Sequence, residues 1–313
     1  MRRSRTLALG AASLVLVLSA CTPGGSEASP SGSAAAAKPT VKVGSQDFPE
    51  AALVGELYAL ALEAKGYTVE RHLETGGRPV MHAALEADEI NLVPEYLGGL
   101  GGEGLGLEAL STDPQQAWDN MQEALAGKEW VVFDYSPGSS ADGFAVRQET
   151  ADEFGLETMS DLAEVADQLV FGIAPQCIEN PVCAPGLNEV YGIDLTSAEI
   201  EVETLQACST DIATALNDRA IDVAQVCTTQ PEIAVLNLVL LEDDQHLQPA
   251  QNLVPLARKD LADAAPPDFA ETLNAIQATL TTEALTALQV AYVVNQEDIA
   301  DVARQFLEDN GLL

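Results

Sequence analysis

Forty-nine acidic side chains, three histidines and five cysteines are the reactive groups this chain carries in quantity or in suggestive places. His72, His82 and His246 are scattered, with no i,i+4 pairing and no cysteine neighbours, so a metal site is not expected. No G-x-S-x-G elbow, P-loop or H-E-x-x-H occurs. Carboxylates are so abundant that any pair arises by chance. Glu95 with Asp142 is the pair a glycosidase-type hydrolysis would use, but nothing singles it out. No catalytic residue and no cofactor is therefore expected. The cysteines say more. Cys177, Cys183, Cys208 and Cys227 make an even set, which outside the cytoplasm favours disulfides over free thiols. Three connectivities are possible. The preferred one joins Cys177 to Cys183 in a short loop and Cys208 to Cys227 across neighbouring strand ends.

The stretch Ile90-Asn-Leu-Val-Pro-Glu-Tyr-Leu-Gly-Gly99 has the form of a binding edge. Ile90, Leu92 and Val93 read as a buried strand. Pro94 has no N–H for a ladder, so the strand is expected to stop there. Glu95 and Tyr96 then lie just past its carboxyl end, where open α/β sheets hold ligands. Tyr96 is either an aromatic wall or a buried ring closing a domain. Gly99-Leu-Gly-Gly-Glu-Gly104 matches G-x-G-x-x-G but lacks the strand-turn-helix context of a dinucleotide site, and reads as a flexible loop.

These positions need elements to hold them. Val41 to Gly44 is a strand, followed by an apolar helix from Ala51 to Lys65 that Gly66 terminates. Thr68 to Leu73, a helix from Val80 to Ala87 and the strand Leu92-Val93 complete β-α-β-α-β, which implies a parallel sheet. A helix opens at Asp113-Pro114, and a strand spans Glu129 to Tyr135. Turn-forming residues 136–143 lead into the strand Phe144 to Arg147. Ser160-Asp161 is expected to cap a helix, with Glu164 reaching back to Asp161. Further strands are expected at Val170 to Ala174, Glu199 to Leu205, Asp222 to Val226 and Leu253 to Ala257. Helices are expected over 267–280, 282–290 and 297–310, with starts at Thr281 and near Asn295.

At 313 residues the chain is long enough for two domains. Its net charge of −35 repels nucleic acid and anionic lipid, so neither is an expected partner, and it suits concentrated salt. Residues 1–20 have the pattern of a signal peptide: Arg2, Arg3 and Arg5, then an apolar core from Leu7 to Leu18. Leu18-Ser-Ala-Cys21 resembles a bacterial lipobox, which implies cleavage before Cys21 and lipidation of it. Residues 21–39, rich in Ser, Gly, Ala and Pro, are expected to be a flexible tether. No later run reaches the roughly 20 apolar residues of a membrane helix.

Several strings, in order, carry a family resemblance. They are Val41-Lys-Val-Gly-Ser-Gln-Asp-Phe48, the Asn91-initiated strand ending Pro94-Glu-Tyr-Leu-Gly98, Gly186-Leu-Asn-Glu-Val-Tyr-Gly192, Leu240-Leu-Glu-Asp-Asp244 and Val302-Ala-Arg-Gln-Phe-Leu307. Together they resemble the substrate-binding proteins of osmoprotectant ABC transporters, which take glycine betaine, choline or carnitine. The resemblance covers nearly all of the chain after residue 40. It implies an α/β, two-lobed periplasmic-binding-protein-like (type II) fold with two interlobe crossings and a cleft between lobes. Residues 41–138 and 246–313 would form lobe one and 139–245 lobe two, with Val239 to Asp243 as the return crossing.

It also implies an aromatic cage for a quaternary ammonium. Tyr96 carries over. Asp142 and Cys227 stand where the family has further aromatics, and Gly99 stands where it often has a hydroxyl. Gln46, Thr228 and Thr229 would offer hydrogen bonds. Asp47 or Asp142 would offer charge to a cation, and Arg78 would be the best partner for a ligand carboxylate. The implied function is solute capture by a monomeric, lipid-anchored protein on the outer face of the membrane, feeding an ABC permease. A carboxylate-dependent extracellular hydrolase, or a surface sensing or adhesion lipoprotein without a permease, are the alternatives.

Overall fold

The computed structural model describes residues 38–313. The signal segment, Cys21 and nearly all of the expected tether lie outside the described residues. No helix among the described residues is long and apolar enough to cross a membrane.

Two five-stranded mixed sheets organise the chain. The first has the order β2-β1-β3-β10-β4, from β1 (Thr40–Gly44), β2 (Thr68–His72), β3 (Leu92–Tyr96), β4 (Trp130–Val132) and β10 (Leu253–Arg258). The second has the order β7-β6-β8-β5-β9, from β5 (Asp142–Arg147), β6 (Val170–Ile173), β7 (Glu201–Thr204), β8 (Val223–Cys227) and β9 (Leu238–Leu240). The two share one plan. Three parallel strands are followed by an antiparallel fourth, β10 or β5, which the chain contributes just after crossing from the other sheet. The crossings pair with each other: Ser139 bridges Asn252, and the Ser140 N–H donates to the Gln251 carbonyl at 3.0 Å. The return crossing therefore lies later than the sequence suggests, because Val239 and Leu240 belong to edge strand β9.

Alternation along β3 places Leu92 and Tyr96 in the core on one face of the first sheet and Val93 in the core on the other. The first of these cores is built around helix α1 (Pro49–Ala64), in which every residue from Glu50 to Leu62 is buried. A helix buried on all sides is held by neighbours on all sides, here among others the helices Asp268–Gln277, Thr282–Gln289 and Ile299–Asp309. Pro49 starts α1 without loss of a bond, because its missing N–H would have had no partner.

Two local readings are corrected. Strand β3 does not stop at Pro94 but runs to Tyr96. Pro94 sits opposite Pro255 on β10, and the Pro255 carbonyl points away, to the Phe133 N–H at 3.1 Å. Neither proline is asked to donate across the β3–β10 ladder. The Gly99–Gly104 segment is not a loop: residues Leu97–Gly99 begin a helix that continues as a π turn over Leu100–Gly104. Its glycines allow close approach, since a Cβ on Gly99 would lie 2.3 Å from Arg78 Nη2. Smaller corrections concern caps. Thr158, in a capping box with Asp161, starts Met159–Ala163, and Asp298 starts Ile299–Asp309.

What clamps β3 to helix α2 (Arg78–Glu86) is ionic. Glu95 is fully buried and accepts from Arg78 Nε at 3.0 Å, while His82 Nε2 lies 2.7 Å from Glu95 Oε1. Burial by itself would raise the Glu95 carboxyl, but the His82 hydrogen bond and the Arg78 charge outweigh it and hold it below the ordinary 4.5. A depressed carboxyl contributes stability that is present above 4.5 and lost as pH falls through its lower folded value. Arg78→Met should cost about 3–5 kcal/mol, because it leaves a buried charge with only His82 and the Tyr96 N–H beside it. Denaturant midpoints across pH 2–7 check this. The loss should be full near neutrality and shrink in acid, and an unchanged neutral midpoint would dismiss the clamp.

Candidate functional site

A cavity of about 410 Å³ lies where the two sheets' loops meet. The first lobe contributes Phe48, Pro49 and Glu50 from the start of α1, with Gln289 and Val293. The second contributes Cys208, Ser209 and Thr210 and the run Cys227 to Glu232 without Thr228. Ser140, on the first crossing, completes the wall. Both lobes use the loops that follow parallel strands, the edge where such sheets place ligands.

Glu50 is the centre of this wall. The residue is 3% exposed, and its carboxylate accepts from the Tyr96 hydroxyl at 2.7 Å and from Gln289 Nε2 at 2.8 Å. Burial raises its pKa, and hydrogen bonds from Thr229, Tyr96 and Ser140 pull it part of the way back. The α1 N-terminus adds a favourable dipole. Gln289 Nε2 also donates to the Thr229 carbonyl at 2.9 Å, so one amide spans the two lobes. Ser140 Oγ and Thr229 Oγ1 lie 2.8 Å apart.

On the opposite wall, Glu232 accepts the Thr210 hydroxyl at 2.6 Å. Gln230 donates its Nε2 to the Ser209 carbonyl at 3.0 Å, while its Oε1 is buried with no partner. Both acids follow a proline at the first turn of a helix, Pro49-Glu50 and Pro231-Glu232. That pattern, just after a strand end, is the signal by which sequence could have singled them out.

Of the residues singled out from sequence, Thr229 lines this cavity. Tyr96 does not: its ring is buried behind Phe48, centroids 6.0 Å apart, and its hydroxyl serves Glu50. Phe48 takes the position of aromatic wall. Gln46 is buried with its Nε2 unpartnered. Asp47 is exposed. Arg78 is committed to Glu95 and Glu103, which corrects its reading as a free cation for a ligand carboxylate. Thr228 is structural, its hydroxyl donating to the Ser139 carbonyl and accepting the Ala141 N–H, each at 3.1 Å. Asp142 pairs in register with Cys227 and borders a second, smaller cavity inside lobe two. Burial raises its carboxyl, with a hydrogen bond from Gln225 opposing.

Disulfides join Cys177 to Cys183 and Cys208 to Cys227. Asp142, Cys208 and Cys227 come within 4.8 Å of one another. Metal binding there would need thiolates, and both sulfurs are spent in the bridge. The Cys208–Cys227 bridge forms part of the cavity wall, and Cys208 has a left-handed backbone, φ 55°.

A family model described as the substrate binding domain of ABC-type glycine betaine transport systems matches residues 39–309. The chain is 25% identical over 285 residues to the glycine betaine-binding protein YehZ of Escherichia coli, covering 87% of this chain and 90% of that one. It is 26% identical over 279 residues to the carnitine transport binding protein OpuCC of Listeria monocytogenes, covering 87% of each. A crystal structure described as a glycine betaine/carnitine/choline ABC transporter superposes with a TM-score of 0.79 at 24% identity, covering 87% of this chain and 99% of that one. That likeness shows the two-lobed type II fold.

The two bridges should behave differently on removal. Replacing Cys208 and Cys227 by serine should lower stability by about 2–4 kcal/mol and also weaken capture of solute, because the cavity wall loosens. Replacing Cys177 and Cys183 should lower stability alone, since that bridge sits in the lobe-two core away from the cavity. Melting curves and calorimetric titration on the two double variants separate the effects. Equal solute affinities in both would refute the assignment of the wall.

Proposed function

The chain belongs to the family of substrate binding domains of ABC-type glycine betaine transport systems, and on that premise we propose that it captures a small cationic or zwitterionic solute for an ABC importer. The observation that carries this reading is the cavity bounded by both lobes, with Glu50 and Glu232 in its lining and neither lysine nor arginine. Such a cavity favours positive charge. Phe48 adds a π face for a cation. Solute contacts to both walls favour the closed arrangement of lobes, which the membrane permease then receives.

Capture needs no covalent step. Glu95, the carboxylate a hydrolase would require, is held by Arg78 and His82, and Asp142 borders a different cavity. The chain is read as a monomer held on the outer face of the cell membrane by lipid on Cys21.

Glycine betaine, carnitine, choline and simple amines, each titrated into purified protein, should raise its melting temperature. A solute at about 100 times its dissociation constant stabilises by roughly 2.7 kcal/mol. Phe48→Ala should weaken a quaternary ammonium by about 0.5–2 kcal/mol. Stabilisation by neutral sugars or plain anions, with none by any cation, would sink the reading. The anchor has its own test. The mature native protein should carry a lipid mass at Cys21, lost in Cys21→Ala, and an unmodified intact mass of the native protein would exclude it.

A further inference from the structure

We propose that this cavity selects a cation bearing N–H hydrogens, an ammonium or guanidinium group, over a fully N-methylated one, through the acceptors Glu232 and Gln230 Oε1, with Glu50 adding negative charge to the wall. The inference rests on the solute-capture reading above and names the chemistry of the captured group.

Three observations converge. The charged side chains of the lining are both carboxylates, and they come from opposite lobes. The amide of Gln230 is oriented by its own bond. With Nε2 given to the Ser209 carbonyl, the atom left over is an acceptor, in a residue 5% exposed that lines the cavity. Glu232 takes a single hydroxyl, from Thr210, and keeps acceptor capacity. Glu232 and Gln230 Oε1 thus keep acceptor capacity that the wall's own donors do not fill.

A trimethylammonium group satisfies charge and nothing else. It has no hydrogen to give, so Gln230 Oε1, already buried without a partner, would stay unpaired, a cost that a bound N–H removes. Its usual compensation is a cage of aromatic faces, and the aromatic residue lining this cavity is Phe48 alone. An ammonium or guanidinium gives a charge-assisted hydrogen bond to Glu232 and fills the free acceptor of Gln230.

Two matched series test this by calorimetry at fixed pH and salt: glycine betaine, dimethylglycine and sarcosine, and choline against ethanolamine. Each series keeps its skeleton and changes the number of N–H hydrogens. Affinity should rise about tenfold or more from the trimethyl member to the N–H members. Gln230→Met should flatten that preference. Glu232→Gln, which keeps the shape and removes the charge, should weaken every member about tenfold. Unliganded melting temperatures of both variants establish that they fold. If the trimethyl member binds tightest, or the preference survives Gln230→Met, the inference is overturned while cation capture stands. If no member of either series binds, both the inference and the capture reading fall.

Discussion

A carboxylate taken out of water must be surrounded by donors or give up its charge. Glu50 faces that requirement where the lobes meet, and its surroundings are arranged around it. Tyr96 supplies a hydroxyl from the end of β3, Gln289 an amide from its helix, and Thr229 and Ser140 further hydroxyls from the far side and the crossing. Four separate parts of the chain are thereby fixed relative to one side chain. Its position follows from α1, which is so apolar that its first turn is drawn into the core with the rest.

The repeated plan of the sheets gives this junction its leverage. Each sheet borrows its antiparallel fourth strand from the segment entering it, so the two crossings lie side by side and bond to each other at Ser139 and Asn252. Rotation about a paired double strand moves the lobes as bodies, while their cores stay packed. Gln289, touching Glu50 and the Thr229 carbonyl with one nitrogen, reports directly on how close the lobes stand.

Much of the architecture was legible because local pattern and final structure agree. The alternation of apolar strands and helices from Val41 to Val93 gave the parallel part of the first sheet, and Gly66 marked the end of α1 correctly, with φ +83°. The readings that failed depended on partners distant in sequence. Pro94 stops a strand only if the neighbour needs its N–H, and that neighbour is Pro255. The glycines after Tyr96 looked like looseness, yet Gly99 is small because Arg78 lies against it. The site was harder still. Among 49 acidic residues, nothing local distinguishes Glu50 and Glu232 from solvated ones except a preceding proline, and burial is settled by packing across the chain. Tyr96 was singled out for its ring, whereas the structure buries that ring and uses its hydroxyl on Glu50.

The Cys208–Cys227 bridge stitches the loop after β7 to the end of β8, directly in the cavity wall. A wall closed by a covalent bond has few shapes to choose among before the solute arrives. The entropy lost in capture then falls on the rotation of whole lobes, with little spent on ordering the loops that touch the solute. On the proposed capture, lobe two meets its cargo as a finished mould, and the time a solute stays bound is expected to follow how readily the paired crossings let the two bodies part.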